Sequence, residues 1–205
     1  SGLVKDNDAP GGNVTGTSDM NPVVDQIDLL HQLAPEAKKV GLLYCTAESN
    51  SKIQIELAAA ELKKLGIEGV EYTASSSNEV QQVVESMMGK VDAIYTPTDN
   101  TIASAMTVIA SIANEHKVPT VCGEVAHVEA GGLASLSINY EELGRRAGEM
   151  AVRILTEGAE PAAMPIESMG AAECDLVYNG RTAEALGIDV TSLVEDGATD
   201  VSAAE

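Results

Sequence analysis

The stretch Val40-Gly-Leu-Leu-Tyr-Cys-Thr-Ala-Glu-Ser-Asn-Ser51 decides the fold. It opens as an unbroken apolar run, turns polar over a few residues, and passes into a long helical pattern. Val91-Asp-Ala-Ile-Tyr-Thr-Pro-Thr-Asp-Asn-Thr101 repeats the arrangement. Apolar runs without alternation fit strands buried on both faces, the signature of a parallel sheet covered by helices. In such sheets ligands bind beyond the carboxyl ends of the strands. Two polar tips rich in Ser, Thr and Asn, each with a carboxylate, therefore point to a site for a small polar or zwitterionic molecule.

Outward from these stretches the alternation continues. Strands are predicted at 40–45, 69–73, 91–96, 119–123 and 133–138. Helices are predicted at 22–34, 51–65, 78–88, 101–116 and 141–157. Val23, Ile27, Leu30 and Leu33 recur at helical spacing behind Asn21 and Pro22, a fair N-cap and first residue. Gly66 and Gly158 stop the helices that precede them. Two short strands near 165–169 and 174–178 and a helix at 180–186 follow. A further short strand is expected at Asn13–Gly16, and the acidic segment 189–205 reads as a frayed tail. Strands alternating with helices mean βαβ units, so the predicted class is α/β with mostly parallel open sheets and flanking helices.

Composition narrows the function. The 205 residues carry a net charge of −20, with 12 Lys and Arg against 32 Asp and Glu. Phosphate neutralisation needs clustered cations, so nucleic acid is excluded as a partner. No apolar run approaches the roughly 18 residues of a membrane span. Phe and Trp are absent, and five Tyr are the only aromatic residues. The core must be aliphatic, and any ring stacking from this chain must come from tyrosine. Cys45, Cys122 and Cys174 form no C-x-x-C pair and read as small buried hydrophobes.

The candidate site residues lie at the tips. Glu48, Ser49, Asn50 and Ser51 form one group; Asp99, Asn100 and Thr101 form the other. Ser49 or Asn50, and Asp99 or Asn100, are equally candidates for capping the helices that follow. Helix-start amides with Ser and Asn donors suit a ligand carboxylate, and Glu48 or Asp99 suits an ammonium group. Glu124, at the third tip, is a further candidate; His127 reads as a loop histidine. No His, Cys and carboxylate set has metal spacing. Gly11-Gly-Asn-Val-Thr-Gly16 lacks the order of a dinucleotide loop, and no G-x-S-x-G elbow appears. The residues argue for binding over turnover, with no cofactor and no catalytic group.

Taken together, Gly12-Asn-Val-Thr-Gly-Thr-Ser-Asp19, Leu33-Ala-Pro-Glu-Ala-Lys-Lys-Val-Gly-Leu-Leu-Tyr44, Glu48-Ser-Asn-Ser51, Asp92-Ala-Ile-Tyr-Thr-Pro-Thr-Asp-Asn-Thr101 and Asn139-Tyr-Glu-Glu-Leu-Gly144 resemble the TrpX-like family. These are substrate-binding proteins of ABC importers with the two-lobed type I periplasmic binding fold. The resemblance implies capture of a small molecule outside the cytoplasmic membrane, as a periplasmic protein or cell-surface lipoprotein. It implies an aromatic amino acid such as tryptophan or tyrosine as ligand, and delivery to a permease and an ATPase. It places 1–19 as a remnant of the first lobe and hinge, 20–138 as the second lobe, 139–188 as a first-lobe helix with returning hinge strands, and 189–205 as a disordered tail. By this reading the first lobe is incomplete, and its open sheet would favour self-association. The alternative is a ligand-sensing domain of a signalling or regulatory protein with the same fold; an enzyme of flavodoxin-like or hydrolase type would need a cofactor loop or nucleophile that the sequence lacks.

Overall fold

A computed structural model describes residues 2–202. In chain order the elements are β1 (Thr17–Ser18), α1 (Val23–Leu33), β2 (Lys39–Cys45), α2 (Ser49–Lys64), β3 (Glu68–Ala74), α3 (Ser77–Met87), β4 (Ala93–Thr96), α4 (Asn100–Glu115), β5 (Thr120–Cys122), α5 (Val125–Glu129), β6 (Ala134–Ser137), α6 (Tyr140–Glu157), β7 (Glu167–Ser168), β8 (Asp175–Tyr178), α7 (Gly180–Leu186), α8 (Thr191–Glu195) and β9 (Thr199–Asp200). The chain divides into two units: the residues up to Met20 with Ile138–Cys174, and Asn21–Ser137 with the residues from Asp175 onward.

The larger unit is built on a seven-stranded sheet of order β3-β2-β4-β5-β6-β8-β9. All neighbours run parallel except β6 and β8, which pair antiparallel through Ser135 opposite Val177. Successive side chains of a strand point to opposite faces, and this sorts the core into two layers. Val40, Leu42, Tyr44, Ala93, Tyr95 and Val121 pack with Ile27 and Leu30 of α1 and with Ile55 and Leu62 of α2. Leu43, Ile94 and Cys122 pack with Val80 and Val84 of α3, Ile102, Met106 and Ile109 of α4, and Val128 of α5. With no Phe or Trp available, Tyr95 is the largest fully buried side chain. Its ring needs a polar partner for the hydroxyl, and Gln26 Oε1 accepts that bond at 2.7 Å. Gly41 makes room on the second face, where a β-carbon would lie 2.3 Å from Met87 Cε.

The smaller unit pairs β1 with β7 in parallel, Thr17 opposite Glu167. Its α6 begins at Asn139, whose side chain accepts from Glu142 N, and ends at Gly158 in the left-handed conformation (φ 72°). Ile138, Leu143 and Met169 form its buried cluster. Glu142 accepts from both Arg145 and Arg146, and Arg146 reaches Glu173 at 2.6 Å.

Three expectations are corrected. The opening strand forms at Thr17–Ser18 and not at Asn13–Gly16. The segment from Asp189 to residue 202, expected to fray, forms α8 and β9. Leu193 is 1% exposed against the α1 face, and β9 pairs with β8. One buried leucine and one strand edge outweigh the acidic composition there; residues 203–205 of the same tail lie outside the described residues. Finally, β8, expected among returning hinge strands, is an interior strand of the seven-stranded sheet. Among the described residues no helix is long and apolar enough to cross a membrane.

Candidate functional site

Registers set the tips side by side. Leu42 of β2 lies opposite Tyr95 of β4, and Thr96 of β4 opposite Cys122 of β5. The carboxyl ends of β2, β4 and β5 therefore form one continuous edge of the larger unit, and every predicted site residue lies on it.

The first two tips are cross-linked by their carboxylates. Asp99 caps α4 by accepting from Ile102 N at 2.9 Å, as its position predicts. Its other oxygen accepts from Cys45 N and from Ser51 Oγ, both at 2.8 Å and both on the first tip. Asp99 and Ser51 are fully buried. Three protein donors thus occupy the Asp99 carboxylate, and solvent does not reach it. Glu48 reaches in the opposite direction. One oxygen accepts from Asn100 N at 3.1 Å and Asn100 Nδ2 at 3.2 Å; the other accepts from Thr101 N at 2.9 Å and Thr101 Oγ1 at 3.2 Å. Burial pushes the Glu48 carboxyl up, but these four bonds outweigh it, and the net effect holds the group below the ordinary glutamate range.

Because Glu48 is turned toward α4, its own helix α2 opens without a side-chain cap. Neither Ser49 nor Asn50 caps α2: the helix begins at Ser49, and Asn50 Nδ2 donates to Thr98 O at 3.0 Å. Ser49 and Asn50 are exposed. Orphan amides of a helix start attract anions, so this is the part of the first tip open to a carboxylate.

The sequence reading missed the residues that hold the edge. Gln54 Oε1 accepts from Thr98 N at 3.1 Å, and Asn21 Nδ2 donates to Thr98 Oγ1 at 2.8 Å. Asn21, expected as the cap of α1, thus serves the second tip instead, and α1 opens behind Pro22 without a side-chain cap. Gln26 is fully buried; Nε2 donates to Gly123 O at 3.2 Å and Leu136 O at 2.7 Å while Oε1 receives the Tyr95 hydroxyl. A glutamine inside the apolar stripe of α1 was the available signal. Gly123 packs so tightly that a β-carbon would lie 2.4 Å from Thr98 N.

The third tip carries Glu124. His127 is not a loop residue: it sits in α5, fully buried, with Nδ1 3.1 Å from Thr96 Oγ1. Its Nε2 lies 3.0 Å from Glu124 Oε1, off the N–H axis, with no other partner. Cys122 lies nearby, but burial pushes its thiol up to about 12, which removes it as a nucleophile at neutral pH. Among the described residues no group of three His, Cys, Asp or Glu is placed to hold a metal ion.

The arrangement is a polar wall with donors and two partly exposed carboxylates, Glu48 and Glu124, chemistry suited to a small zwitterion. Comparison with known proteins gives the family. A tyrosine-binding protein of Clostridioides difficile (strain R20291) is 41% identical over 191 residues, which is 93% of this chain and 54% of that protein. The chain thus spans about half the length of this relative. A domain from Streptococcus pneumonia solved in complex with L-Trp is 40% identical, with a TM-score of 0.86 over 96% of this chain and 66% of that one. A ligand-free, open substrate-binding protein with adhesive properties from Clostridium difficile is 42% identical, with a TM-score of 0.77 over 92% of this chain and 63% of that one. The family described as ABC transporter substrate binding protein matches residues 1–202, and the chain belongs to that family.

Proposed function

We propose that this chain captures an aromatic amino acid, tryptophan or tyrosine, as part of the substrate-binding component of an ABC importer. It works outside the cytoplasmic membrane and hands its ligand to a permease driven by an ATPase. The observation that carries this reading is the 40% identity, over nearly the whole chain, to a domain solved with L-Trp. The tyrosine-binding relative supports the same ligand class.

The strand-tip edge supplies one wall of the site. The uncapped start of α2, with the exposed Ser49 and Asn50, takes the ligand carboxylate. Glu48, Ser51, Asp99, Asn100 and Thr101 fix the wall through the crossed bonds described above.

The test is a thermal-shift screen of the full-length protein against the twenty amino acids, followed by calorimetry. Tryptophan, tyrosine or phenylalanine should raise Tm, by an amount that grows with ligand concentration above Kd. A shift with other amino acids and none with these three removes the aromatic assignment.

A further inference from the structure

Three carboxylates stand on the tip edge, and only one has capacity left for a ligand. An ionised carboxylate offers about four lone-pair positions. Asp99 gives its oxygens to Cys45, Ser51 and Ile102 and is shut off from solvent. Glu48 receives four bonds from Asn100 and Thr101. Glu124 is different. Its side chain is 18% exposed, and its described contact is a single one, the 3.0 Å approach of His127 Nε2 to Oε1.

The imidazole behind it is placed with unusual care. His127 is completely buried, and its Nε2 has no hydrogen-bond partner of proper geometry. Its Nδ1 meets the hydroxyl of Thr96, itself buried at the end of β4. The 3.1 Å contact is compatible with Thr96 donating to Nδ1, the arrangement that leaves the ring proton on Nε2, on the side of Glu124. The helix that carries His127 is pinned in turn: Val125 N donates to Ser137 Oγ at 3.2 Å, and His127 O accepts from Gly132 N at 3.0 Å. A buried donor left out of line costs free energy. A small movement of the Glu124 carboxylate, as on meeting a cation, would bring the donor into line.

We propose that Glu124 receives the ammonium group of the ligand, and that His127, oriented by Thr96, is its positioning residue. The proposal rests on the amino-acid reading above and deepens it. Glu124 holds one oxygen against the buried imidazole and presents the other to a primary amine, while Asp99 and Glu48 remain structural.

The experiment is calorimetry on the full-length protein with two ligand pairs. These are L-tyrosine with 3-(4-hydroxyphenyl)propionate, and L-tryptophan with indole-3-propionate; the second of each pair lacks only the amine. In Glu124→Gln the amino acid should bind about 10- to 100-fold more weakly, the range for a charge-assisted hydrogen bond, while the amine-free acid keeps its affinity. His127→Gln, which retains a donor, should lose less than His127→Ala, and the loss should again be confined to the amine-bearing ligand. Thr96→Val removes only the hydroxyl; it decides the positioning role if the histidine variants do not fold, through a smaller loss of the same selectivity. A merely structural role would weaken both members of a pair alike. Unchanged amino-acid affinity in Glu124→Gln, or equal losses for both members, overturns the proposal and leaves the amino-acid reading standing. Failure of the wild type to bind any amino acid overturns both.

Discussion

Replacing Asp99 by alanine separates a structural carboxylate from a ligand-binding one. The substitution removes the acceptor for Cys45 N, Ser51 Oγ and Ile102 N, at 2.8, 2.8 and 2.9 Å. Losing the α4 cap costs about 1 kcal/mol. The Cys45 amide is buried and loses its acceptor, at about 1–3 kcal/mol. The Ser51 hydroxyl can rotate, so it adds about 1 kcal/mol. The sum is roughly 3–5 kcal/mol, and for a chain of this length each kcal/mol moves Tm by about 2–4 °C. Thermal unfolding of the ligand-free variant, followed by circular dichroism, should therefore show a Tm lower by about 6–20 °C. Asp99→Asn keeps one acceptor oxygen and should fall between. A ligand-free Tm within about 2 °C of wild type, with binding lost, would refute this reasoning and return Asp99 to the ligand.

Leu193→Ala should cost about 2–5 kcal/mol, because the side chain is 1% exposed against the α1 face, whereas Val194→Ala, at a half-exposed position, should change stability by less than about 0.5 kcal/mol; equal effects in urea unfolding would restore the frayed tail. Glu48 should make the protein acid-sensitive. Its carboxyl is lower in the folded chain than its ordinary 4.5, so its stabilisation is present above that pH and is lost as pH falls through the folded value. Glu142, held down to about 2 by Arg145 and Arg146, should lose its contribution across the window from 4.5 to about 2. Urea unfolding between pH 6 and pH 3 should therefore be less pH-dependent in Glu48→Gln than in wild type, and an identical slope would count against the crossed bonds.

The central alternation was legible because it rests on local signals. Val40 to Leu43 is apolar without interruption, and Gly66 and Gly158 stop helices where left-handed backbone is required (φ 76° and 72°). Where two residues compete for one role, spacing could not choose. Asn21 and Asn50 are both good caps by type, yet both spend their amides on Thr98, a partner far away in sequence. Glu48 and Asp99 are read from sequence as candidates for an ammonium group, and Asp99 also as a cap; the cap is observed, but each carboxylate also crosses to the other tip, a long-range choice that no periodicity encodes. The tail failed for the opposite reason. Its acidic composition describes the solvent side, while the single Leu193 that docks it carries little weight in any average. A short turn of helix is expected after 119–123, but the burial of His127 against Thr96, 31 residues away, leaves no local signal.

The crossed carboxylates also bear on the entropy of capture. Freezing a rotamer-rich side chain on binding costs about 0.5–1.5 kcal/mol. Glu48, Asn50 and Gln54 are each bonded to the opposite tip by protein groups alone, so that ordering takes place during folding. Under the proposed function, a ligand arriving at this wall would meet groups already at rest, and affinity lost to disorder in a floppier edge would be retained. The same crossed bonds tie the β2 and β4 tips into one body, so a displacement of one carries the other with it.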